Sequence, residues 1–153
     1  MGSDVVSVSS LTSRSSNPDF AKYEYPSTSV TILKFGDGSI GKVASSIDCL
    51  QPYYFHTHLV GSKGSLLDNK IYSTELPGLE KNRWSELPMK LCDSGDVSDH
   101  PYQSQFEAFF SALESGEDMA LTSLADAART HEIIFAADRA AESGQPVEPG
   151  PLR

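Results

Sequence analysis

Residues 30–41 read VTILKFGDGSIG, and they fit either of two local structures with different functions. Its first half, residues 30–35, is rich in β-branched side chains and is typical of a strand. Gly36, Gly38 and Gly41 then satisfy G-x-G-x-x-G, the pattern of a dinucleotide-binding turn that follows a strand and opens a helix. Beyond Gly41 the apolar residues alternate as in a second strand. Asp37-Gly38 between two strands therefore predicts a hairpin, in which glycine supplies the positive φ of the turn.

The region downstream of this turn also lacks the partner that a dinucleotide would need. A carboxylate about 20 residues beyond the glycines should bind the ribose hydroxyl. The sequence holds no Asp or Glu between Cys49 and Leu67. We therefore expect no cofactor site at the glycines.

Composition excludes several classes of function. The 153 residues suit one domain, and the net charge of −9 argues against nucleic acid or an anionic membrane as a partner. No apolar run approaches the length of a transmembrane helix, and the N-terminus lacks the pattern of a signal peptide. The two cysteines, Cys49 and Cys92, fit a reducing cytosol or a single disulfide equally well. We expect a cytoplasmic protein.

Strand patterns fill the first three quarters of the chain and helix patterns the remainder. This order predicts an α+β fold: an open, mostly antiparallel sheet with two C-terminal helices packed on one side. In the first helix a mainly aromatic stripe suggests core; it comprises Tyr102, Phe106, Phe109 and Phe110, with Leu113 on the same face. Ser123 and Asp126 resemble a capping box at the start of the second helix. The expected buried face of that helix comprises Leu124, Ala127, Ala128, His131, Ile134 and Phe135.

Apolar side chains fall on both faces of the predicted sheet. Val43, Ile47 and Cys49 share one alternation, whereas Val30 and Ile32 share another. Two helices are too few to cover both faces, and an uncovered apolar face usually meets another subunit or domain. The pattern predicts a homo-oligomer, with a dimer as the simplest form.

Four segments occur in order along the chain: residues 4–8 (DVVSV), 35–41 (FGDGSIG), 59–66 (LVGSKGSL) and 144–147 (GQPV). Together they resemble the C-terminal half of Gfo/Idh/MocA oxidoreductases, the glucose–fructose oxidoreductase and inositol dehydrogenase group. The resemblance implies an open sheet that binds a sugar or polyol substrate and mediates oligomer contacts.

The same resemblance implies parts that this sequence does not contain. Family members carry an NAD(P)-binding Rossmann domain, then a Glu-Lys-Pro segment, then a helix with catalytic Asp and His. We therefore expect a truncated chain whose domain spans residues 4–148, with flexible termini at 1–3 and 149–153. The resemblance implies no catalytic residue and no cofactor in this fragment, with NAD or NADP in the parent protein and the Rossmann domain as a partner.

Candidate substrate-binding residues lie just before the third of these segments. By the resemblance, Tyr53 occupies the position of a tyrosine that faces the sugar or polyol; a packed sheet tyrosine is the equal alternative. Gln51 and Pro52 depart from the family pattern, which leaves the substrate open. His56 and His58 lie on one side of a predicted strand and suit either a substrate pocket or the sheet surface. As metal ligands they lack an evident third partner.

Two functions follow from these observations. The first is the substrate-binding and oligomerisation domain of an NAD(P)-dependent oxidoreductase acting on a sugar or polyol, inactive alone. The alternative is a stand-alone, non-catalytic sheet module that dimerises or binds a partner.

Overall fold

The computed structural model describes residues 3–89, 100, 102–119 and 122–150. The chain divides into two compact units, Met1–Leu50 with Phe106–Arg153, and Gln51–Gln105. Each unit contains an antiparallel sheet, of three strands in the first and four in the second. With two helices late in the chain, this arrangement confirms the predicted α+β class with open antiparallel sheets. The described strands form two sheets, where the sequence predicted one.

The first sheet comprises β1 (Val5–Ser13), β2 (Thr28–Phe35) and β3 (Ile40–Ser46), in that order. A short 3₁₀ helix, Pro18–Phe20, lies in the connection from β1 to β2. The glycine stretch forms the hairpin that the sequence predicts between β2 and β3. Phe35 N–H donates to Ser39 O at 3.0 Å, and Gly38 has a φ of +86°. That φ is accessible to glycine without steric cost, which explains the residue at this turn.

The core of the first unit lies between β1 and the second helix. The helices are α1 (Tyr102–Ser115) and α2 (Leu124–Ser143), and α2 packs on β1. Val8, Ala136 and Ala140 are buried there. The small alanine side chains let the helix approach the strand closely, and burial of apolar surface drives that contact.

Local signals set both ends of α2. The Ser123 side chain accepts a hydrogen bond from Asp126 N–H at 3.1 Å, which confirms the predicted cap. Gly144 ends the helix in the left-handed conformation with a φ of +66°. Immediately beyond it, Val147 pairs with Val8 through two backbone hydrogen bonds of 2.8 and 2.9 Å.

The predicted buried face of α2 is wrong. Leu124, Ile134 and Phe135 are exposed, and so is His131. The helix carries two apolar stripes, and the alanine stripe is the one that meets the sheet. Hydrophobicity alone favoured the stripe with the larger side chains.

The predicted core role of the α1 aromatic stripe is also wrong. Its members are exposed: Tyr102, Phe106, Phe109, Phe110 and Leu113. The helical spacing is real, because these residues do lie within one helix. An amphipathic helix buries its apolar face only when a partner surface is present to receive it.

The second unit contains β4 (His58–Val60), β5 (Ser65–Leu67), β6 (Lys70–Tyr72) and β7 (Ser85–Glu86), paired in that order. Gly61 N–H donates to Gly64 O at 2.9 Å in the turn between β4 and β5. A Cβ on Gly64 would lie 2.7 Å from Tyr72 O, so this position requires glycine. Asp68 and Asn69 form the turn between β5 and β6.

Neither helix in the described ranges combines the length and the apolar character that a membrane crossing requires.

Candidate functional site

The segment that enters β4 presents its side chains alternately to two faces. Tyr53 and Phe55 contact each other, with ring centroids 5.3 Å apart. Tyr54 contacts His56 at 5.7 Å, and His56 contacts His58 at 6.2 Å. These contacts join residues two positions apart, as in extended backbone. Tyr53 therefore lies on one face, and the two predicted histidines lie together on the other.

The Tyr53 face is aromatic. Tyr53 Oη lies 3.2 Å from His100 Nε2, and Phe55 lies edge-on to the His100 ring at 6.2 Å between centroids. His100 in turn stacks on Tyr102, with ring planes 13° apart. Sequence reasoning missed His100, because nothing local links a residue in a loop to a tyrosine so far away along the chain.

The opposite face carries the row Tyr54, His56 and His58, together with a carboxylate. His56 Nδ1 lies 3.0 Å from one oxygen of Asp68 and 3.1 Å from the other. The His56 side chain is 46% exposed and that of Asp68 is 20% exposed. We call Tyr54, His56, His58 and Asp68 the histidine row. A polar, partly exposed row of this kind can hydrogen-bond and stack against a hydroxylated ring.

The backbone fixes Asp68 in place. Thr57 N–H donates to Asp68 Oδ1 at 2.9 Å, and Asp68 N–H donates to Thr57 O at 2.8 Å. Asp68 also has a φ of +52°, a left-handed conformation that Asp and Asn tolerate better than other side chains. Strained backbone of this kind persists where surrounding contacts over-determine it.

The pKa of the Asp68 carboxyl lies below its usual value. The largest cause is the hydrogen bond from Thr57 N–H, which favours the ionised form of the acid. Burial opposes it in part, whereas the hydrogen bond from His56 and the charges of His56 and His58, when protonated, lower the pKa of Asp68 further. At neutral pH the histidine row therefore contains a carboxylate.

The sequence identified Asp68 only as a turn residue. The β4–β5 register pairs His58 with Leu67, and one further step along that ladder brings Thr57 opposite Asp68. The register of that short hairpin is the signal that could have joined Asp68 to His56.

The alternative that His56 and His58 bind a metal requires a third ligand. Across the described ranges, no group of three His, Cys, Asp or Glu side chains is arranged to hold a metal ion. His56 Nδ1 is directed at a carboxylate and not at a third ligand. The alternative that His56 and His58 bind a metal gains no support.

A nicotinamide cofactor does not fit the glycine hairpin. A dinucleotide places its pyrophosphate at the N-terminus of a helix that follows the glycines. Here Gly41 lies inside β3 and pairs with Leu33 of β2, so the backbone groups of this region are engaged in a sheet.

A second candidate surface lies on the first sheet, on the face away from α2. Leu11 pairs with Val30, and Val30 pairs with Ala44, so their side chains share that face. Its exposed apolar residues, which we call the outer sheet face, are Leu11, Val30, Ile32 and Ile40. Lys34 and Lys42 lie among them. Contiguous exposed apolar residues on a sheet mark an interaction surface.

An open cavity of about 390 Å³ lies in the second unit. It is lined largely by Leu59, Leu66, Ile71, Tyr72 and Leu76. Leu59, Leu66 and Ile71 are paired across three strands and so share one face of the sheet. His58 points to the other face by the alternation of β4. The cavity and the histidine row are therefore separate features.

No family model matches this sequence, and no curated protein matches it either. Solved structures do match its fold. One is an oxidoreductase from Agrobacterium radiobacter in complex with NAD⁺, L-tartaric acid and magnesium, at 21% identity and a TM-score of 0.69. A levoglucosan dehydrogenase with NADH and L-sorbose matches at 14% identity and 0.73. An aldose–aldose oxidoreductase from Caulobacter crescentus with glycerol matches at 17% and 0.70.

These matches cover 96%, 97% and 96% of this chain but only 44%, 46% and 42% of the matched chains, in the same order. The chain therefore spans less than half the length of the structures that it resembles. At this identity the likeness establishes the fold. The resemblance to Gfo/Idh/MocA-type oxidoreductases drawn from the sequence is confirmed at that level.

Proposed function

We propose that this chain is the substrate-binding and oligomerisation domain of an NAD(P)-dependent oxidoreductase that acts on a sugar or polyol. The observation that carries the proposal is the match of almost the whole chain to one part of sugar-handling oxidoreductases. We assign this domain to residues 4–148. The backbone pairing of Val8 with Val147 supports these bounds, because it joins the two ends of the assigned segment.

Tyr53, His56 and His58 are the proposed substrate-binding residues. Tyr53 lies on one face of the segment and the two histidines lie on the other, so these residues belong to two separate candidate surfaces. The histidine row offers the His56 imidazole held by the Asp68 carboxylate, the His58 imidazole and the Tyr54 phenol. Such groups give the mixed stacking and hydrogen bonding that a polyol requires. Tyr53 is already engaged with His100, which favours the histidine row as the principal contact.

The outer sheet face is the proposed oligomer contact. It combines exposed apolar side chains with two lysines, since Lys42 lies beside Ile32 and Lys34 beside Ile40 in the strand register. An isologous dimer would bury the same patch of both subunits.

In this proposal the nicotinamide cofactor binds elsewhere in the parent enzyme, and these 153 residues do not transfer hydride alone. The hairpin geometry at Gly36–Gly41 supports this division. We further propose a cytoplasmic location, with which the free, exposed thiol of Cys49 is compatible.

The test is a titration of the chain followed by amide NMR, with L-sorbose, glycerol and NADH as probes. We expect the two polyhydroxylated compounds to shift residues 53–58 and NADH to bind weakly or not at all. The variant His58→Gln should weaken the L-sorbose response, and His131→Gln, in the first unit, should not. Micromolar binding of NADH would refute the assignment of cofactor binding to another domain.

The outer sheet face equally supports the second function, a non-catalytic module that dimerises or binds a partner. The same titration separates the two. A chain that dimerises and binds neither L-sorbose nor glycerol would favour the module.

A further inference from the structure

We infer that Asp68 is a positioning residue that holds the proton of His56 on Nδ1, so that Nε2 accepts a hydrogen bond from a neutral, hydroxylated ligand. The inference rests on the proposed function of the histidine row and adds the direction of one hydrogen bond and the charge class of the ligand.

The position of the His56 ring proton follows from which atoms of His56 and Asp68 can donate and which can accept a hydrogen bond. His56 Nδ1 lies within 3.0 and 3.1 Å of the two Asp68 oxygens. An ionised carboxylate only accepts hydrogen bonds, so Nδ1 must donate. In a neutral imidazole the other ring nitrogen then carries the lone pair. His56 Nε2 is therefore an acceptor, and the hydroxyl group of a ligand is a matching donor.

The carboxylate is a fixed partner, because the backbone N–H of Asp68 and one of its carboxylate oxygens both hydrogen-bond to the Thr57 backbone. Its N–H donates to Thr57 O at 2.8 Å, and its Oδ1 also accepts from Thr57 N–H at 2.9 Å. A carboxylate held by the backbone of Thr57, on the opposing segment, cannot follow the imidazole if the ring turns. Asp68, and not the ligand, therefore fixes the orientation of the His56 ring.

Position 68 could be occupied by a residue chosen for the backbone alone. Its φ of +52° is better suited to Asn or Gly. Asn would make the turn and keep an acceptor for Thr57 N–H, Gly would make the turn alone, and neither would carry a charge that orders a neighbouring imidazole. Asp is the residue that meets both requirements, which separates a role in the histidine row from a role in the turn.

The same charge selects the ligand. A carboxylate beside the imidazole repels an anionic ligand and tolerates a neutral one, since like charges at short range are unfavourable. Tyr54 and His58 flank His56 at 5.7 and 6.2 Å and offer ring surfaces to an apolar sugar face. A neutral ketose or cyclitol fits this chemistry better than a sugar acid.

The experiment is long-range ¹H–¹⁵N NMR of the imidazoles in the full chain at about pH 8, chosen so that the neutral rings are observed. The variants are Asp68→Asn, which keeps the left-handed backbone and removes the charge, and Asp37→Asn as the control. Asp37 is also a turn carboxylate that hydrogen-bonds a neighbour, Ser39, and it lies in the first unit. L-sorbose and L-tartrate are the probes.

We expect one tautomer of His56 in the unaltered chain, with the proton on Nδ1. Asp68→Asn should give a mixture, because an amide can either donate to or accept from Nδ1. L-sorbose should shift the His56 Nε2 signal. Its affinity should fall about tenfold in Asp68→Asn, the scale of one hydrogen bond to a charged network. Asp37→Asn should match the unaltered chain in both measurements.

Several results would overturn the inference. A proton on Nε2 in the unaltered chain, or a single retained tautomer in Asp68→Asn, would show that Asp68 does not set the ring. Equal affinity of L-sorbose for the two chains would do the same and would leave the proposed function standing. L-tartrate binding as tightly as L-sorbose would refute the neutral ligand.

The failure of the proposed function is distinguishable. If His56 shows the expected tautomer but L-sorbose binds nowhere on the chain, the substrate-binding assignment fails, and the ligand part of the inference fails with it. Should Asp68→Asn not fold, Asp68→Gly provides the second variant, because glycine adopts the same φ without strain.

Discussion

Val8 and Val147 exchange a pair of backbone hydrogen bonds, and this bridge ties the segment beyond α2 to the buried centre of β1. Val8 is fully buried beneath α2, so one residue serves both the sheet ladder and the helix contact.

We expect Val8→Ala to destabilise the first unit by about 2 kcal/mol, from lost burial and the cavity left behind. The measurement is the midpoint of urea unfolding. Val6→Ala is the matched control on the same strand, since Val6 is 42% exposed and should cost well under half as much. Equal effects of the two substitutions would contradict the assignment of the core to β1 and α2.

Ser10 and Thr31 form a buried hydroxyl pair across β1 and β2, with their oxygens 2.9 Å apart. Ser10→Ala should cost about 1–3 kcal/mol, because it leaves the Thr31 hydroxyl buried without that partner. The double variant Ser10→Ala with Thr31→Val removes both polar groups and should recover most of that loss. Additive losses in a double-mutant cycle would show that the two hydroxyls are not coupled.

The outer sheet face predicts how the chain assembles. Ile32→Glu should convert a dimer to a monomer, as measured by sedimentation velocity, because it places a charge at the centre of the proposed contact. Val43→Glu is the control. It lies on the opposite face of the same sheet and, at 58%, is more exposed than Ile32 at 41%.

The proposed contact is wrong if the unaltered chain stays monomeric at all concentrations tested. It is also wrong if Ile32→Glu and Val43→Glu dissociate the dimer to the same extent.

Asp68 predicts part of the acid sensitivity of the second unit. Its pKa is lowered in the folded chain by the Thr57 and His56 hydrogen bonds, from an ordinary value of 3.8. On unfolding the carboxyl binds protons more readily, so stability rises with pH while the group titrates. The contribution is fully present above pH 3.8 and is lost as the pH falls through the lower, folded value.

The measurement is ¹³C NMR titration of the Asp68 carboxyl, alongside acid unfolding of the chain and of Asp68→Asn. We expect a midpoint below 3.8 for the carboxyl. We also expect a smaller loss of stability below that pH in the variant. A carboxyl midpoint above the ordinary value would contradict the hydrogen bonds described here.

Features set by neighbouring residues could be predicted from the sequence. The Asp37-Gly38 turn and the Ser123 cap depend on the chemistry of a few adjacent side chains, and both are present in the structure. The choice of buried stripe on α2 depends instead on how closely a helix can approach β1. Ala136 and Ala140 permit that approach, and no local signal ranks them above Ile134 and Phe135.

The candidate site was predictable only in part. His56 and His58 share a face because the chain alternates, which the sequence indicates. Their carboxylate comes from a turn, and its approach to His56 depends on the register of the intervening hairpin. The partner of Tyr53, His100, is joined to it by no local pattern at all.

The left-handed backbone at Asp68 has a consequence for any set of homologous sequences. Asn satisfies the same turn and keeps an oxygen that can accept from Thr57 N–H, so this replacement is limited chiefly by what the carboxylate does for His56. We expect Asp at position 68 to co-vary with histidine at position 56. Homologues that lose the imidazole should accumulate Asn at the turn, whereas those that keep it should retain the acid. A survey of paired substitutions would therefore read out, without any assay, which lineages still use the histidine row.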